Sequence, residues 1–269
     1  MPIVLENIYF SCESPHRKGE LKNVSLTIED GEFVGVLGGK SGGASALTAV
    51  IGRVYAPLYG NVKIINGDAV CVFSGSERFL SESTVEKQLL RRLSGKELGD
   101  NEKAERISAS LEAVGLDFAE IKDVPPLSLP LGKMRLVSIA EALLTEAETI
   151  LLDDPMENMS VQWSVRLMEC LKKLNDVGKT VIIASDDAEL LSGFVKRIII
   201  MKDGEIVRNG STKTVLTDYY DLLRLGIDIP QTVLCARALR ENGIDMPDNV
   251  LTYQQLIDRL KIIMWRKAL

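Results

Sequence analysis

Phe33-Val34-Gly35-Val36-Leu37-Gly38-Gly39-Lys40-Ser41-Gly42-Gly43-Ala44-Ser45-Ala46 is the stretch whose reading decides the fold. Residues 33–37 carry no polar side chain, so they read as a short strand buried on both faces. Four glycines then fall within the six residues 38–43, a density that belongs to a tight loop. From residue 44 to 53 the pattern turns helical. Strand, glycine-rich loop and helix in this order are what a phosphate-binding loop requires. Backbone N–H groups and the positive end of the helix then face one anion. A plain tight turn has the same local appearance, so the rest of the chain must decide.

Outward from the loop, residues 3–5, 24–28, 62–65 and 69–73 read as strands, with a turn at 29–32. The segment 83–115 is helical and polar, broken at 95–100, and a further helix spans 133–144. Residues 149–152 and 180–184 are nearly all apolar, as parallel strands covered on both faces are. A crossover helix at 166–174 lies between them. Residues 198–201 and 205–207 flank Lys202-Asp203-Gly204, a hairpin signal. The tail has helical pieces at 215–225, 233–241 and 253–263, punctuated by Pro230 and Pro247. This predicts an α/β core over 1–212 with a helical insertion at about 76–147, and a small C-terminal helical domain over 213–269.

Composition narrows the function. The net charge is −6, with no basic stripe beyond Lys87, Arg91, Arg92 and Lys96, so nucleic acid is not an expected partner. The four cysteines form no C-x-x-C pair, and His16 is the single histidine, which argues against a metal cluster and fits a reducing cytoplasm. Met1-Pro2-Ile3-Val4-Leu5-Glu6 has neither the charged start nor the apolar stretch of a signal peptide, and no apolar run is long enough to span a bilayer.

Four features recur in one order: the loop at Gly38, the segment Leu129-Pro130-Leu131-Gly132-Lys133-Met134-Arg135, the strand ending at Asp153 before Asp154-Pro155, and the strand ending at Ala184 before Ser185-Asp186-Asp187. This order and spacing resemble an ATP-binding cassette (ABC) ATPase. The tail segments Leu225-Gly226-Ile227-Asp228-Ile229-Pro230 and 236–247 resemble the C-terminal region of energy-coupling factor importer ATPases, the cobalt and vitamin branch. The resemblance covers essentially the whole chain. It implies a P-loop NTPase core with an antiparallel β subdomain, a helical subdomain and a C-terminal helical dimerisation or regulatory domain. ATP and Mg²⁺ are the implied ligands. The implied partners are a second ABC ATPase subunit and a transmembrane coupling subunit, with the chain peripheral on the inner face of the cell membrane.

Carried over residue by residue, the resemblance exposes departures. The nucleotide-binding positions are Gly38, Gly39, Lys40, Ser41, Gly42, Gly43, Ala44, Ser45 and Ala46. Ala44 stands where the family has the lysine that neutralises the β- and γ-phosphates; Lys40 offers a cation only from a different direction. Magnesium falls to Ser45, Ser74 and Asp153, with Ser74 in place of a glutamine. The signature L-S-G-G-Q reads Leu129-Pro130-Leu131-Gly132-Lys133, so the serine and one N–H are lost. Asp154, one methylene short, replaces the glutamate that polarises water, and positioning of that water is geometric. Ser160 replaces the aspartate that reaches across the dimer. Asp186 replaces the switch histidine, an anion where the γ-phosphate arrives. The adenine-stacking aromatic aligns with Cys12, while Tyr9 and Phe10 read as core.

These groups act together on one phosphate, so their losses compound. The expectation is a chain that does not hydrolyse ATP usefully alone. In this family one chain's phosphate loop faces the other's signature, so a homodimer would be altered on both sides of both sites. A heterodimer with a competent ATPase is favoured. A nucleotide-independent scaffold on the same fold remains the alternative. A soluble ABC protein of DNA repair or translation is disfavoured by the acidic charge and the importer-like tail.

Overall fold

The computed structural model describes residues 2–14, 17–38, 42–64, 67–73 and 75–267. β1 (Ile3–Ser14) and β2 (Arg17–Ile28) form a long antiparallel hairpin. Alternation marks only residues 3–5 and 24–28 of it. The reason is a change of parity, because Ile3 and Leu5 are buried and then Ile8 and Phe10. Register shifts flank Ile8, and Asn7 sits at φ 50°. The bulge moves the inward face from odd to even residues, so no single period runs through the strand.

β3 (Phe33–Leu37) leads into α1 (Ala44–Ile51). β4 (Tyr59–Ile64) pairs with the other edge of β1 and completes the antiparallel sheet β2-β1-β4. β5 (Ala69–Phe73) belongs to the second sheet. A 3₁₀ turn (Ser76–Phe79) and four helices follow: α2 (Val85–Arg92), α3 (Asp100–Ala113), α4 (Phe118–Ile121) and α5 (Leu131–Leu143). The chain then alternates through β6 (Thr149–Asp153), α6 (Val161–Asp176), β7 (Thr180–Ala184), α7 (Ala188–Ser192), β8 (Arg197–Lys202) and β9 (Glu205–Ser211).

The second sheet has the order β5-β6-β7-β3-β8-β9, parallel except for β9. Every residue of β3, β6 and β7 is buried, as their unbroken apolar runs require. Successive residues feed opposite faces. Val34, Val36, Leu151, Ile182 and Ile199 join the core shared with β1, β2 and α1. Phe33, Leu37, Ile150, Leu152, Ile183 and Ile200 join the core shared with α2, α3, α5 and α6. This is a mixed α/β fold with a separate antiparallel sheet and a helical layer between β5 and β6.

The tail forms α8 (Thr212–Leu216), α9 (Tyr219–Leu225), α10 (Gln231–Glu241) and α11 (Tyr253–Lys267). Ala236, Met246, Val250 and Leu256 make a small core of their own. The Ser192 hydroxyl, bonded to the carbonyl of Leu251 at 3.0 Å, anchors this tail to α7. Among the described residues, no helix is long and apolar enough to cross a membrane.

Candidate functional site

The loop between β3 and α1 is shaped by what it packs on. A Cβ on Gly38 or on Gly42 would lie 2.9 Å from the Met201 carbonyl oxygen at the end of β8. Gly43 adopts φ 105°, and a Cβ there would lie 2.9 Å from the Glu20 carbonyl. The Gly204 N–H donates to the Gly42 carbonyl at 3.1 Å, and the Lys22 N–H donates to the Gly204 carbonyl at 2.9 Å. Gly42 and Gly43 are therefore held between β2 and the β8–β9 turn, with no room for a side chain at either. Gly39, Lys40 and Ser41 lie outside the described residues, as do Ser74 and His16.

The first turn of α1 has no side-chain cap and no acidic residue. Its N–H groups and the helix dipole are available to an anion. Ala44 and Ala46 are buried and Ser45 is exposed. The Ala44 methyl sits 3.5 Å from where a Gly38 Cβ would be, so a methyl occupies the position of the family's cation.

Three carboxylates gather at the ends of β6 and β7. Asp153 is buried at the end of β6, in register with Ala184. The Asp154 N–H donates to the Ala184 carbonyl at 2.9 Å, and the Ser185 N–H to the Val36 carbonyl at 3.0 Å. These bonds bring the residues after β6, β7 and β3 together. Asp154 stands at φ 45°, a conformation that aspartate tolerates better than most residues. Burial, then the negative charges of Asp153, Asp186 and Glu157, push its carboxyl up to about 6, against the pull of Arg135. Asp154 and Asp186 therefore feel each other's charge at the ends of β6 and β7.

Arg135 closes the segment Leu129–Arg135 that the motif reading quotes but gives no role, yet it organises this turn. Its side chain is 5% exposed. Nη1 donates to the Asp154 carbonyl at 3.0 Å and to the Pro155 carbonyl, while Nε lies 3.5 Å from Glu77 Oε2. One guanidinium thus joins α5, the 3₁₀ turn beyond Ser74 and the turn after β6. The available signal was an arginine beside the apolar run Leu136-Val137 in a helix that is buried along most of its length.

The signature segment opens α5. Leu129 is buried, Pro130 occupies the N-cap position without a side-chain bond, and Leu131 and Lys133 are half-buried. Gly132 faces Trp163 of α6 so closely that a Cβ would enter the indole ring. Its role here is packing. The loop before α1 and the start of α5 therefore have different neighbours, β8–β9 for one and α6 for the other.

Cys12, at the adenine position, is half-buried; Phe10 is buried against Tyr55 with ring centroids 5.5 Å apart, in keeping with its core reading. Tyr9 corrects its reading: it is 41% exposed and meets Tyr59 edge-on. The parity change at Asn7 turns it outward.

An ATP–Mg²⁺ ligand meets a divided site. The backbone around Gly42 and Gly43 and the start of α1 fit an anion. The side chains do not fit a reacting triphosphate: Ala44 supplies no charge, Asp154 carries glutamate's charge on a shorter arm, Asp186 supplies the wrong sign, and Arg135 is held by the Asp154 and Pro155 carbonyls and an ion pair with Glu77. Asp153 and Ser45 are the described positions that would meet magnesium. Among the described residues, no group of three or more histidine, cysteine or acidic side chains is arranged to hold a metal on its own.

Comparison with known proteins agrees with this architecture. A family model described as "ABC transporter" matches residues 21–157. The Clostridium perfringens energy-coupling factor transporter ATP-binding protein EcfA2 is 28% identical, covering 97% of each chain. EcfA1 of Caldanaerobacter subterraneus is 29% identical, covering 94% of this chain and 96% of its own. Among solved structures, the ATP-binding cassette MJ0796, a dimer bound to ADP and Pi, is 27% identical with a TM-score of 0.65, covering 78% of this chain and 98% of its own. The C. perfringens cbiO1 structure shares the fold at 21% identity, with a TM-score of 0.72 over 85% of this chain and 96% of its own. The matched residues 21–157 include the glycine loop, the end of β6 and the helix at Leu131, and the chain belongs to the ABC transporter family, whose ligand is ATP, generally with Mg²⁺.

Proposed function

We propose that this chain is the ATP-binding cassette subunit of an energy-coupling factor importer for a vitamin or metal ion. In this reading it is the catalytically weak partner of a heterodimer with a competent ATPase. The observation that carries it is the acidic cluster Asp153, Asp154 and Asp186, unrelieved by any lysine at Ala44. Asp186 adds an anion where the γ-phosphate arrives, and Asp154, one methylene shorter than glutamate, does not hold the attacking water in glutamate geometry. The backbone of the loop still favours an anion, so nucleotide binding is weak and hydrolysis negligible.

Relatives named EcfA1 and EcfA2 support a paired arrangement. In such a pair, this chain supplies a dimer surface, a face for a transmembrane coupling subunit and the tail. Residues 1–212 act as the nucleotide-binding domain and 213–269 as a C-terminal helical dimerisation or regulatory domain. The chain sits peripherally on the inner face of the membrane.

Calorimetry with ATP and Mg²⁺, on the chain alone and on its complex with the ATPase encoded beside it, tests the reading. Weak binding alone and firm binding in the complex are expected. Absence of nucleotide from this chain's loop in both would favour a nucleotide-independent scaffold.

A further inference from the structure

A cavity of about 510 Å³ opens between the turn after Asp154, helix α7 and the segment entering α11. Its size suits a small organic molecule. Much of the wall is apolar, with Met156, Leu190, Phe194 and Leu251 supplying the surface. The polar side chains on it are carboxylates and hydroxyls, with no lysine, arginine or histidine.

Two carboxylates stand on this wall without a counter-charge. Asp187 accepts from the Leu190 N–H at 2.8 Å as the cap of α7. Glu189 accepts from the Gln231 N–H and from the Tyr253 hydroxyl. Neither forms an ion pair among the described residues. The charge of Glu189, with burial, holds the Tyr253 hydroxyl above the usual phenol range, which reflects a local negative potential. Ser164 gives a second, independent sign. It is 7% exposed, lines the cavity, and its hydroxyl has no hydrogen-bond partner among the described residues. The residue is buried but lines the open cavity, so an occupant could take up its hydroxyl.

We propose that this cavity binds a small organic cation, an alkyl or arylalkyl ammonium. Its apolar body lies on Met156, Leu190 and Phe194, and its ammonium meets Asp187 and Glu189. Hydrophobic burial supplies affinity, and the uncompensated carboxylates select the sign of the charge. The occupant touches the turn after Asp154, the helix after Asp186 and the tail at Leu251. It therefore ties the tail to both acidic positions, and it reports on them without contacting the nucleotide loop.

The experiment is isothermal titration of the full chain with 4-phenylbutylammonium chloride, beside 4-phenylbutanol and 4-phenylbutanoate. The ammonium is expected to bind at least about tenfold more tightly than the alcohol, and the carboxylate not at all. Asp187→Asn keeps a good helix cap while removing the charge, so it folds and should lose at least about fivefold in ammonium affinity. Leu190→Trp fills the cavity and should abolish binding, with circular dichroism as the folding control. The proposal is overturned by no ammonium binding up to about 10 mM, by equal binding of all three probes, or by an Asp187→Asn protein that binds as the parent does.

Discussion

Arg135 and Asp154 are joined through the backbone: Nη1 of the buried guanidinium donates to the Asp154 carbonyl at 3.0 Å. The same side chain lies 3.5 Å from the Glu77 carboxylate. Glu77 is 9% exposed, so it is stranded if its partner leaves. Arg135→Met should therefore cost about 3–5 kcal/mol of stability, the range for breaking a buried ion pair by removing one member. Adding Glu77→Gln to Arg135→Met should recover part of that loss. Urea denaturation of the three proteins checks this, and a loss below about 1 kcal/mol for the single variant would show the pair to be dispensable.

Asp154→Asn should stabilise the chain, and only at higher pH. The folded carboxyl titrates at about 6, above its ordinary value near 4, so the folded state binds the proton more tightly than the unfolded one. Stability then falls as pH rises through that window, and the penalty is complete above it. Asparagine accepts the φ of 45° and carries no charge. The expected gain at pH 7.5 is about 1 kcal/mol, allowing for screening of a partly exposed group, and it shrinks toward zero at pH 4. An equal gain at both pH values would show that charge is not what Asp154 contributes.

Ala44→Lys should raise affinity for MgATP by about tenfold or more, as a charge-assisted contact to phosphate does. It should not restore turnover, because Asp154 and Asp186 remain. Calorimetry and phosphate release, measured on one preparation, separate the two outcomes. Unchanged affinity would mean the loop no longer presents this position to a phosphate.

Gly132→Ala should destabilise by about 1–3 kcal/mol, the cost of overpacking. The added methyl would enter the Trp163 ring, and both α5 and α6 sit in the large core. Thermal melting, with Trp163 fluorescence as a local probe, reads the effect. A neutral result would mean that α6 shifts freely against α5.

What was legible in the sequence followed from burial symmetry. Residues 33–37, 149–152 and 180–184 are covered on both faces, so they announce themselves as apolar runs. The hairpin at Lys202-Asp203-Gly204 was legible for the same reason on its β8 side. The long first hairpin was not, because the bulge at Asn7 breaks its period. In the site, each motif residue could be named from order and spacing, but its neighbours could not. Arg135 meets Glu77 across 58 positions of sequence (135 less 77), a contact that no local pattern encodes. The carboxyl of Asp154 is raised by burial first, then by Asp153 and by Asp186, and only the pairing of β6 with β7 brings Asp186 near.

The central claim is that ATP-driven work by this protein needs another chain's chemistry. Phosphate release from ATP and Mg²⁺, by the purified chain alone and in stoichiometric complex with the neighbouring ATPase, tests it most directly. The account predicts background rates for the chain alone, unchanged by Asp154→Asn, and clear turnover for the complex. Robust turnover by the chain alone, abolished by Asp154→Asn, would contradict it.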